Sequence, residues 1–381
     1  MPSASPTALV NGAVMTPAGV VDGQALLVHG GTILGLVDRS DVPASAVVED
    51  LAGGLLVPGF IDTQVNGGGG VLFNDDPSVA TIAAIGAAHR PFGTTGFLPT
   101  LISDDLDVVD AAMRATEDAI EAGVPGVLGV HIEGPFLNAQ RKGIHDAAKF
   151  RVLDEAAIDL LSSLKRGKTL VTLAPETTTP QMVARLARAG VVVAAGHTNA
   201  AYETVKAALD AGLTGFTHLF NAMSPLTSRA PGAVGAALES QEAWCGIIVD
   251  GRHVDPATLR IALRTRPLDR FMLVTDAMPT VGMADKRFVL QGQEITVEDG
   301  VCVGPGGTLA GSDLDMIGAV RNAVSMLGLS LEDAVMTASS APAAFLGLAA
   351  QRGTIAPGMA ADLVLLDESR NVVRTWIDGR G

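Results

Sequence analysis

The strongest regularity in this chain is an alternation of short apolar runs with Ala-rich segments of helical period. Such alternation is typical of parallel strands, buried on both faces, that are joined by crossover helices. The apolar runs are residues 55–61, 94–99, 127–132, 169–173, 191–195, 215–217, 245–249 and 270–275. Eight strands with helices between them predict an α/β fold of the TIM type, a (β/α)8 barrel, which we place at residues 58–344.

Both ends of the chain have a different pattern. Residues 8–53 and residues 353–379 contain short alternating strands that are separated by turn residues. Alternation of apolar and polar residues favours strands with one buried face. We therefore predict a small β-sandwich domain that is built from both termini, residues 1–57 and 345–381.

Two local segments carry further predictions. Residues 287–303 read as a β excursion that follows the eighth strand of the barrel. The segment "TNAAYETVKAALDAG" predicts a helix with Thr198 or Asn199 as its N-cap and an end at Gly212.

Charge and cysteine content narrow the possible functions. The 381 residues carry a formal net charge of −15, which disfavours nucleic acid or an anionic membrane as a partner, since both attract cationic surfaces. The two cysteines, Cys245 and Cys302, are too few for a disulfide framework or a cysteine-based zinc site.

The N-terminal segment has no signal-peptide pattern, and no apolar run reaches the ~18 residues of a membrane span. We expect a cytoplasmic protein.

Polar side chains follow seven of the eight runs. In a barrel of this type the carboxyl ends of all strands meet at one rim, where catalytic groups lie. The polar residues at those ends are Asp62, Gln64 and Asn66, then Glu133, Glu176, His197, His218, Asp250 with His253, and Asp276. The sequence therefore predicts a catalytic site at this rim.

Glu133, His197 and His218 form a candidate metal set. The segments "AAGHTNA" and "GFTHLFNAM" place the two histidines at the same position after successive runs. One glutamate and two histidines are a common zinc set that leaves a position for water. Taken singly, a histidine after a strand is more often a hydrogen-bonded core or rim residue than a ligand, and Glu133 could cap a turn. His131 shares the strand of Glu133; we expect it to point to the opposite face and to be structural.

Several ordered segments resemble one known family. They include "VPGFIDTQVNGGGG", "GVHIEGPFLNAQRKGIH", "TLAPE", "THLFNAMSPLTSRAPG", "LVTDAM" and "GTIAPGMAADLVLLD". Together they resemble the N-acetylglucosamine-6-phosphate deacetylases of the amidohydrolase superfamily over nearly the whole chain. The resemblance implies hydrolysis of the acetamide of N-acetyl-D-glucosamine 6-phosphate to D-glucosamine 6-phosphate and acetate, in amino-sugar catabolism and cell-wall recycling.

The resemblance also implies a single metal ion. Many amidohydrolases have a His-x-His pair on the first strand, where this chain has Gln64 and Asn66. Amide oxygens are poor zinc ligands beside imidazole, so these two residues are expected to line the site without binding a second ion. One divalent ion would be held by Glu133, His197 and His218, with zinc as the first choice and iron, cobalt, manganese or cadmium as alternatives.

The remaining roles are likewise implied by the resemblance. Asp276 would be the general base, and His145 would polarise the acetyl carbonyl. The residues expected to bind the sugar phosphate are Ile144, Asn221, Ala222, Arg229, His253, Leu309 and Ala310. In the family the phosphate-binding residues lie near a subunit interface, so a homodimer is expected. Glu176 receives no role from the resemblance, and we expect a structural or supporting carboxylate.

Two other classes of function remain open at this stage. An amidohydrolase acting on a cyclic amide, or on a different N-acetylamino sugar, would share the metal set and Asp276. A non-catalytic scaffold would be expected to have lost Asp276 or one of the histidines, and all of these residues are present.

Overall fold

The computed structural model describes residues 5–381. Its strands, in chain order, are β1 (Thr7–Val10), β2 (Ala13–Thr16), β3 (Gly19–Val21), β4 (Gln24–His29), β5 (Thr32–Asp38), β6 (Val47–Asp50), β7 (Leu55–Pro58), β8 (Phe60–Val65), β9 (Gly67–Gly68), β10 (Val71–Leu72), β11 (Thr94–Ile102), β12 (Gly129–Glu133), β13 (Lys168–Leu173), β14 (Val192–Ala195), β15 (Gly215–Phe216), β16 (Trp244–Ile247), β17 (Phe271–Leu273), β18 (Arg287–Leu290), β19 (Gln293–Glu298), β20 (Val301–Val303), β21 (Leu309–Ser312), β22 (Leu363–Leu366) and β23 (Val372–Trp376).

The helices are α1 (Val79–His89), α2 (Leu106–Glu121), α3 (Glu155–Leu161), α4 (Pro180–Arg188), α5 (Tyr202–Asp210), α6 (Gly232–Glu239), α7 (Pro256–Ala262), α8 (Met316–Leu327), α9 (Leu331–Ala338) and α10 (Ser340–Phe345). Within residues 5–381, none of them is both long enough and apolar enough to cross a lipid bilayer.

Eight parallel strands form the barrel, as the sequence predicted. Their order is β17-β16-β15-β14-β13-β12-β11-β8, so neighbours in the sheet follow one another in the chain. The first and last strands meet where Val65 bridges Ala277. The N–H of Asp276 also donates to the carbonyl oxygen of Gln64 at 3.0 Å. The closing contact therefore fixes the backbone of two predicted site residues.

The first apolar run divides between two sheets. Residues Leu55–Pro58 pair with strands of the terminal sheet, and only Phe60–Val65 enters the barrel. Gly59 lies between them, where a Cβ atom would come within 2.1 Å of Oγ1 of Thr95. The prediction that residues 55–61 form one barrel strand was therefore wrong in extent, because the chain changes sheet at Gly59.

Strands from both ends of the chain form the predicted terminal β structure. One sheet has the order β5-β4-β1-β6 and the other β23-β22-β7-β2-β3. Buried apolar side chains from both ends of the chain, among them Leu9, Leu26, Leu56, Leu363 and Trp376, form one cluster between these strands. This terminal β structure is therefore built from both ends of the chain.

The β excursion after the eighth barrel strand is larger than predicted. Strands β18 to β21 form a four-stranded antiparallel sheet that extends to Ser312. Leu290, Ile295 and Ala310 are buried with Ile102 and Met278 at the rim of the barrel. This sheet therefore adds a wall beside the barrel mouth.

The helix predicted from residue 198 begins later than expected. α5 starts at Tyr202, with Ala201 as its N-cap. The side-chain oxygens that could cap a helix accept other donors: Oγ1 of Thr198 accepts the N–H of Ala200 at 3.0 Å, and Oδ1 of Asn199 accepts Nε–H of Arg141 at 2.9 Å. The Thr198 hydroxyl and the Asn199 N–H also donate to the carboxylate of Glu176 at 2.6 Å. The predicted N-cap was therefore wrong, since contacts in the loop before α5 hold both residues.

His131 faces the barrel interior, so the predicted orientation was wrong. His131 and Glu133 are two positions apart on β12, and side chains at positions i and i+2 of a strand share a face. Nε2 of His131 lies 2.7 Å from Oγ1 of Thr172 in the buried interior. This hydrogen bond is consistent with a structural role.

Candidate active site

The candidate site is a cavity of about 330 Å³ at the carboxyl ends of the barrel strands. Residues from distant parts of the sequence meet there, because the loops after the strands converge on one rim. The predicted site residues that line it are Glu133, Ile144, His145, His197, His218, Asn221, Ala222, His253, Asp276 and Leu309.

Glu133, His197 and His218 are buried and close enough to bind one ion. Oε1 of Glu133 lies 3.2 Å from Nε2 of His197 and 3.0 Å from Nε2 of His218. The two Nε2 atoms are 3.1 Å apart. Ligand atoms around a tetrahedral zinc ion with bonds of about 2.0–2.1 Å are about 3.3 Å apart. The three donors therefore fit a small divalent cation.

The site residues after three strands have an unusual backbone conformation. His197, His218 and Asp276 have φ angles of 47°, 32° and 53°. Non-glycine residues seldom adopt the left-handed region, and they are held there only by surrounding contacts. For His197, the carbonyl oxygen accepts the N–H of Asn138 at 3.0 Å. At His197 the local strain is thus compensated by a bond to another loop.

A second hydrogen bond orients the ring of His197. Its Nδ1 lies 2.8 Å from the carbonyl oxygen of Arg141. Since a carbonyl oxygen can only accept, the ring proton lies on Nδ1 and the lone pair on Nε2. Nε2 is the atom that faces Glu133, so the ring is in the tautomer that can bind a metal.

Gln64 and Asn66 act as hydrogen-bond donors at the site. Nε2 of Gln64 lies 3.2 Å from Oε1 of Glu133 and 3.1 Å from Oδ1 of Asp276. Nδ2 of Asn66 donates to the same Oδ1 atom at 2.7 Å. The Gln64 amide therefore lies between the two carboxylates, and with Asn66 it reduces the repulsion between them.

The two carboxylates have opposite pKa shifts. Burial acts to raise the pKa of Glu133, but the adjacent imidazoles of His197 and His218 outweigh it and hold the pKa of Glu133 well below its usual range. Burial, followed by the negative charge of Glu133, raises the pKa of Asp276. Glu133 is therefore suited to hold a cation, and Asp276 takes up a proton more readily than an ordinary aspartate.

Ser103 sets the tautomer of His145. The N–H of Ser103 donates to Nδ1 of His145 at 3.3 Å, and the Ser103 Oγ atom lies 2.8 Å from the same nitrogen. A backbone N–H can only donate, so the ring proton lies on Nε2. Burial and then the neighbouring His197 imidazole lower the pKa of His145 to about 3. The ring is therefore neutral at pH 7 and keeps one N–H donor on Nε2.

His253 is held by a neighbouring carboxylate. Its Nδ1 lies 2.5 Å from Oδ2 of Asp250, and its backbone N–H donates to Oδ1 at 2.9 Å. The side chain lines the cavity together with Asn221 and Ala222. Its second ring nitrogen, Nε2, is therefore left for a ligand.

Four predicted site residues are not among those that line the cavity. Gln64 and Asn66 are buried behind it against the carboxylates, and Ala310 is buried next to Leu309. Arg229 lies on the exposed loop 225–230. Within one chain, the structure therefore does not bring Arg229 together with His253.

The sequence reasoning missed Ser103 and the carbonyl group of Arg141. Ser103 directly follows β11, which extends to Ile102 although the run was predicted to end at residue 99. With the correct strand end, Ser103 would have stood among the polar residues at the rim. The Arg141 carbonyl gives no sequence signal, because every residue carries one.

Known proteins share this architecture and sequence. Residues 55–380 match the amidohydrolase family. The N-acetylgalactosamine-6-phosphate deacetylase of Shewanella sp. (strain ANA-3) is 44% identical over 370 residues, which cover 96% of this chain and 93% of that protein. The crystal structure of N-acetylglucosamine-6-phosphate deacetylase from Pasteurella multocida has a TM-score of 0.95 at 35% identity, over 98% of this chain and 99% of that chain.

A second solved structure contains a sugar phosphate. A mutant N-acetyl-D-glucosamine-6-phosphate deacetylase from Mycobacterium smegmatis, in complex with N-acetyl-D-glucosamine-6-phosphate, has a TM-score of 0.89 at 32% identity, and the similarity covers 99% of each chain. The family match spans most of this chain, and the similarity to the Shewanella enzyme extends over nearly its full length. The chain belongs to the amidohydrolase family.

Proposed function

We propose that this protein hydrolyses the acetamide of N-acetyl-D-glucosamine 6-phosphate to D-glucosamine 6-phosphate and acetate, in amino-sugar catabolism and cell-wall recycling. The observation that carries the proposal is the buried set Glu133, His197 and His218, which shares one cavity with Asp276 and His145. Deacetylases of amino-sugar 6-phosphates with similar sequences and structures support the choice of substrate.

The proposed cofactor is one divalent ion per chain, with zinc as the first candidate. Glu133, His197 and His218 would hold it, since their ligand atoms lie within 4.8 Å of one another. When bound, such an ion supplies a Lewis acid that polarises a carbonyl and lowers the pKa of water. Gln64 and Asn66 present N–H groups to Glu133 and Asp276, a position in which a second cation would meet donors rather than ligands.

Asp276 is the proposed general base. Its Oδ1 accepts the amide N–H groups of Gln64 and Asn66, and no residue in 5–381 donates to its Oδ2. Oδ2 can therefore take a proton from the attacking water and later pass it to the departing amine nitrogen. The raised pKa of Asp276 suits this exchange, because the proton must be held between the two steps.

His145 is the proposed donor to the acetyl oxygen. Its ring is neutral with the proton on Nε2, because Ser103 donates to Nδ1. A neutral N–H donor in a buried cavity stabilises the negative charge that develops on a carbonyl oxygen during attack.

The proposed phosphate site needs two subunits. Asn221, Ala222 and His253 line the cavity, with Ile144 and Leu309 along its wall. Arg229 lies outside the cavity of its own chain on an exposed loop. We propose a homodimer in which Arg229 from one subunit reaches the phosphate bound in the other.

N-acetylgalactosamine 6-phosphate is a second candidate substrate. The Shewanella relative named for this sugar is 44% identical to the chain, whereas the Pasteurella enzyme named for the glucosamine sugar is 35% identical. The two sugars differ only in the orientation of the hydroxyl on C4. A direct comparison of the two epimers therefore decides the preferred substrate.

The proposed function is tested by measuring acetate release from both sugar phosphates, from unphosphorylated N-acetylglucosamine and, for comparison, hydrolysis of a cyclic amide such as dihydroorotate. We expect a phosphorylated sugar to exceed the unphosphorylated one in kcat/KM by roughly 30- to 1,000-fold, which corresponds to about 2–4 kcal/mol. Faster hydrolysis of the cyclic amide than of either sugar phosphate would refute the proposal.

Metal stoichiometry follows from the positions of Gln64 and Asn66. We expect purified protein to hold about one divalent ion per chain, since the amide donors occupy the region next to Glu133 and Asp276. Elemental analysis after gel filtration measures this number. Two tightly held ions per chain would contradict the assignment of both amides as hydrogen-bond donors.

Replacing Asp276 by Asn should remove the base and keep the shape of the side chain. Turnover is expected to fall by a factor on the order of 10² to 10⁴, with metal content unchanged. In the parent enzyme, kcat/KM should decline as the pH falls through the raised pKa of Asp276, because a protonated base cannot accept. Full activity in a metal-loaded Asp276→Asn protein would exclude this role.

Replacing Arg229 by Ala should affect only phosphorylated substrates. Loss of a charge-assisted contact to phosphate is expected to cost roughly 2–4 kcal/mol in kcat/KM. Unphosphorylated N-acetylglucosamine should react equally, and slowly, with variant and parent. The exposed Arg264, replaced by Ala, is the matched control. Equal slowing of both sugars would show that Arg229 has a structural role.

The two-subunit site has its own test. Mixing refolded Arg229→Ala chains with Asp276→Asn chains forms heterodimers in which one site has both an intact Asp276 and an intact Arg229 from the other chain. Activity should therefore return on mixing two impaired proteins. If activity stays at the level of the separate variants, Arg229 does not act across the interface.

A further inference from the structure

Glu176 is a half-buried carboxylate that the proposed mechanism does not use. It lies on a single turn of 3-10 helix, Pro175–Thr177, one residue after the end of β13. Three donors converge on it: Nδ2 of Asn138 at 2.8 Å and the N–H of Asn199 at 2.6 Å on Oε1, and Oγ1 of Thr198 at 2.6 Å on Oε2. These donors come from two separate loops, so Glu176 connects the loops after three strands of the barrel.

The first loop carries His197. Thr198 and Asn199 are the two residues that follow it, and both are bound to Glu176. His197 itself has a left-handed φ of 47°, a conformation that a non-glycine residue keeps only when its surroundings hold it. The hydrogen bonds to Glu176 thus hold the two residues that follow His197, next to the strained turn after β14.

The second loop lies against the other side of His197. The N–H of Asn138 donates to the carbonyl oxygen of His197 at 3.0 Å, and the carbonyl oxygen of Arg141 accepts Nδ1–H of the same ring at 2.8 Å. The ring of His145, further along this loop, lies against that of His197, with centroids 4.4 Å apart and the ring planes tilted by 57°. By binding the Asn138 side chain, Glu176 holds this loop next to His197.

We propose that Glu176 is a positioning residue for His197, which keeps its imidazole aligned with Glu133 and His218 for metal binding. Glu176 does this by tying the strained turn at His197 and the loop of Asn138 to the end of β13. The inference rests on the proposed metal site. It goes beyond that site because Glu176 contacts neither the cavity nor the three ligands.

A carboxylate suits this position because it offers only acceptors. The hydroxyl of Thr198 already accepts the N–H of Ala200 at 3.0 Å, which directs its own proton towards Glu176. Both other groups are also N–H donors. A glutamine would keep one acceptor oxygen and turn an NH₂ group towards one of these donors, and an alanine would leave all three donors without their partner.

Metal affinity is the direct readout. We expect the dissociation constant for zinc, measured by competition with a chromogenic chelator, to rise roughly tenfold or more in Glu176→Ala and by a smaller factor in Glu176→Gln. The visible absorption of the cobalt-substituted protein should change, because the field around the ion depends on the orientation of His197. With saturating metal, kcat should fall by a larger factor than KM rises.

Controls separate positioning from general damage. Glu203→Gln, an exposed carboxylate at the start of α5, should leave the zinc dissociation constant and the cobalt spectrum unchanged. Thr198→Val removes one contact from the other side; combined with Glu176→Gln, its effect on zinc affinity should be less than additive. If Glu176→Ala does not fold, as judged by circular dichroism, Glu176→Gln and Thr198→Val decide the result.

Two failures can be told apart. A parent protein that binds no metal at all would refute the proposed metal site. A parent that binds zinc, with folded Glu176 variants of equal zinc affinity and an unchanged cobalt spectrum, would refute the positioning role alone.

Discussion

The arrangement of the site depends on one buried carboxylate oxygen. Oε1 of Glu133 lies within 3.2 Å of both imidazole nitrogens of His197 and His218. A buried carboxylate is unfavourable unless it is paired with donors or a cation, so the three side chains constrain one another. The barrel makes the pairing possible, because the ends of β12, β14 and β15 meet at one rim. The hydrogen bonds of His197 with Arg141 and Asn138 fix the position of its imidazole relative to Glu133.

Amide groups at the end of the first barrel strand reduce the repulsion between two acids, Glu133 and Asp276. Asp276 and Glu133 are close enough for the charge of Glu133 to raise the pKa of Asp276. Gln64 donates to both carboxylates and Asn66 donates to Asp276. These N–H groups compensate part of the negative charge without a second cation, while Oδ2 of Asp276 is left for proton transfer. Hydrogen bonding thus leaves Glu133 suited to hold a cation and Asp276 suited to transfer a proton, although the two acids are neighbours.

The fold and most of the site could be predicted, and the errors have physical causes. All eight barrel strands appeared as apolar runs, but β11 extends to Ile102 beyond the predicted end, so Ser103 was missed. Residues 55–61 read as one run because both sheets bury apolar residues. The chain changes sheet at Gly59, where the nearby Thr95 side chain leaves no room for a Cβ atom. Thr198 and Asn199 resembled helix caps, but their side-chain oxygens accept Ala200 and Arg141 in the loop before α5.

The sequence by itself determined the barrel, the residue types at its rim and the family resemblance, since these depend on local periodicity and on side-chain identity. Only the tertiary structure decided which atoms meet. It placed the proton of His145 on Nε2 through Ser103, directed the amide N–H groups of Gln64 and Asn66 at the carboxylates, and left Arg229 outside the cavity of its own chain. Such relations join residues far apart in the chain, and hydrogen-bond direction depends on geometry that residue order does not contain.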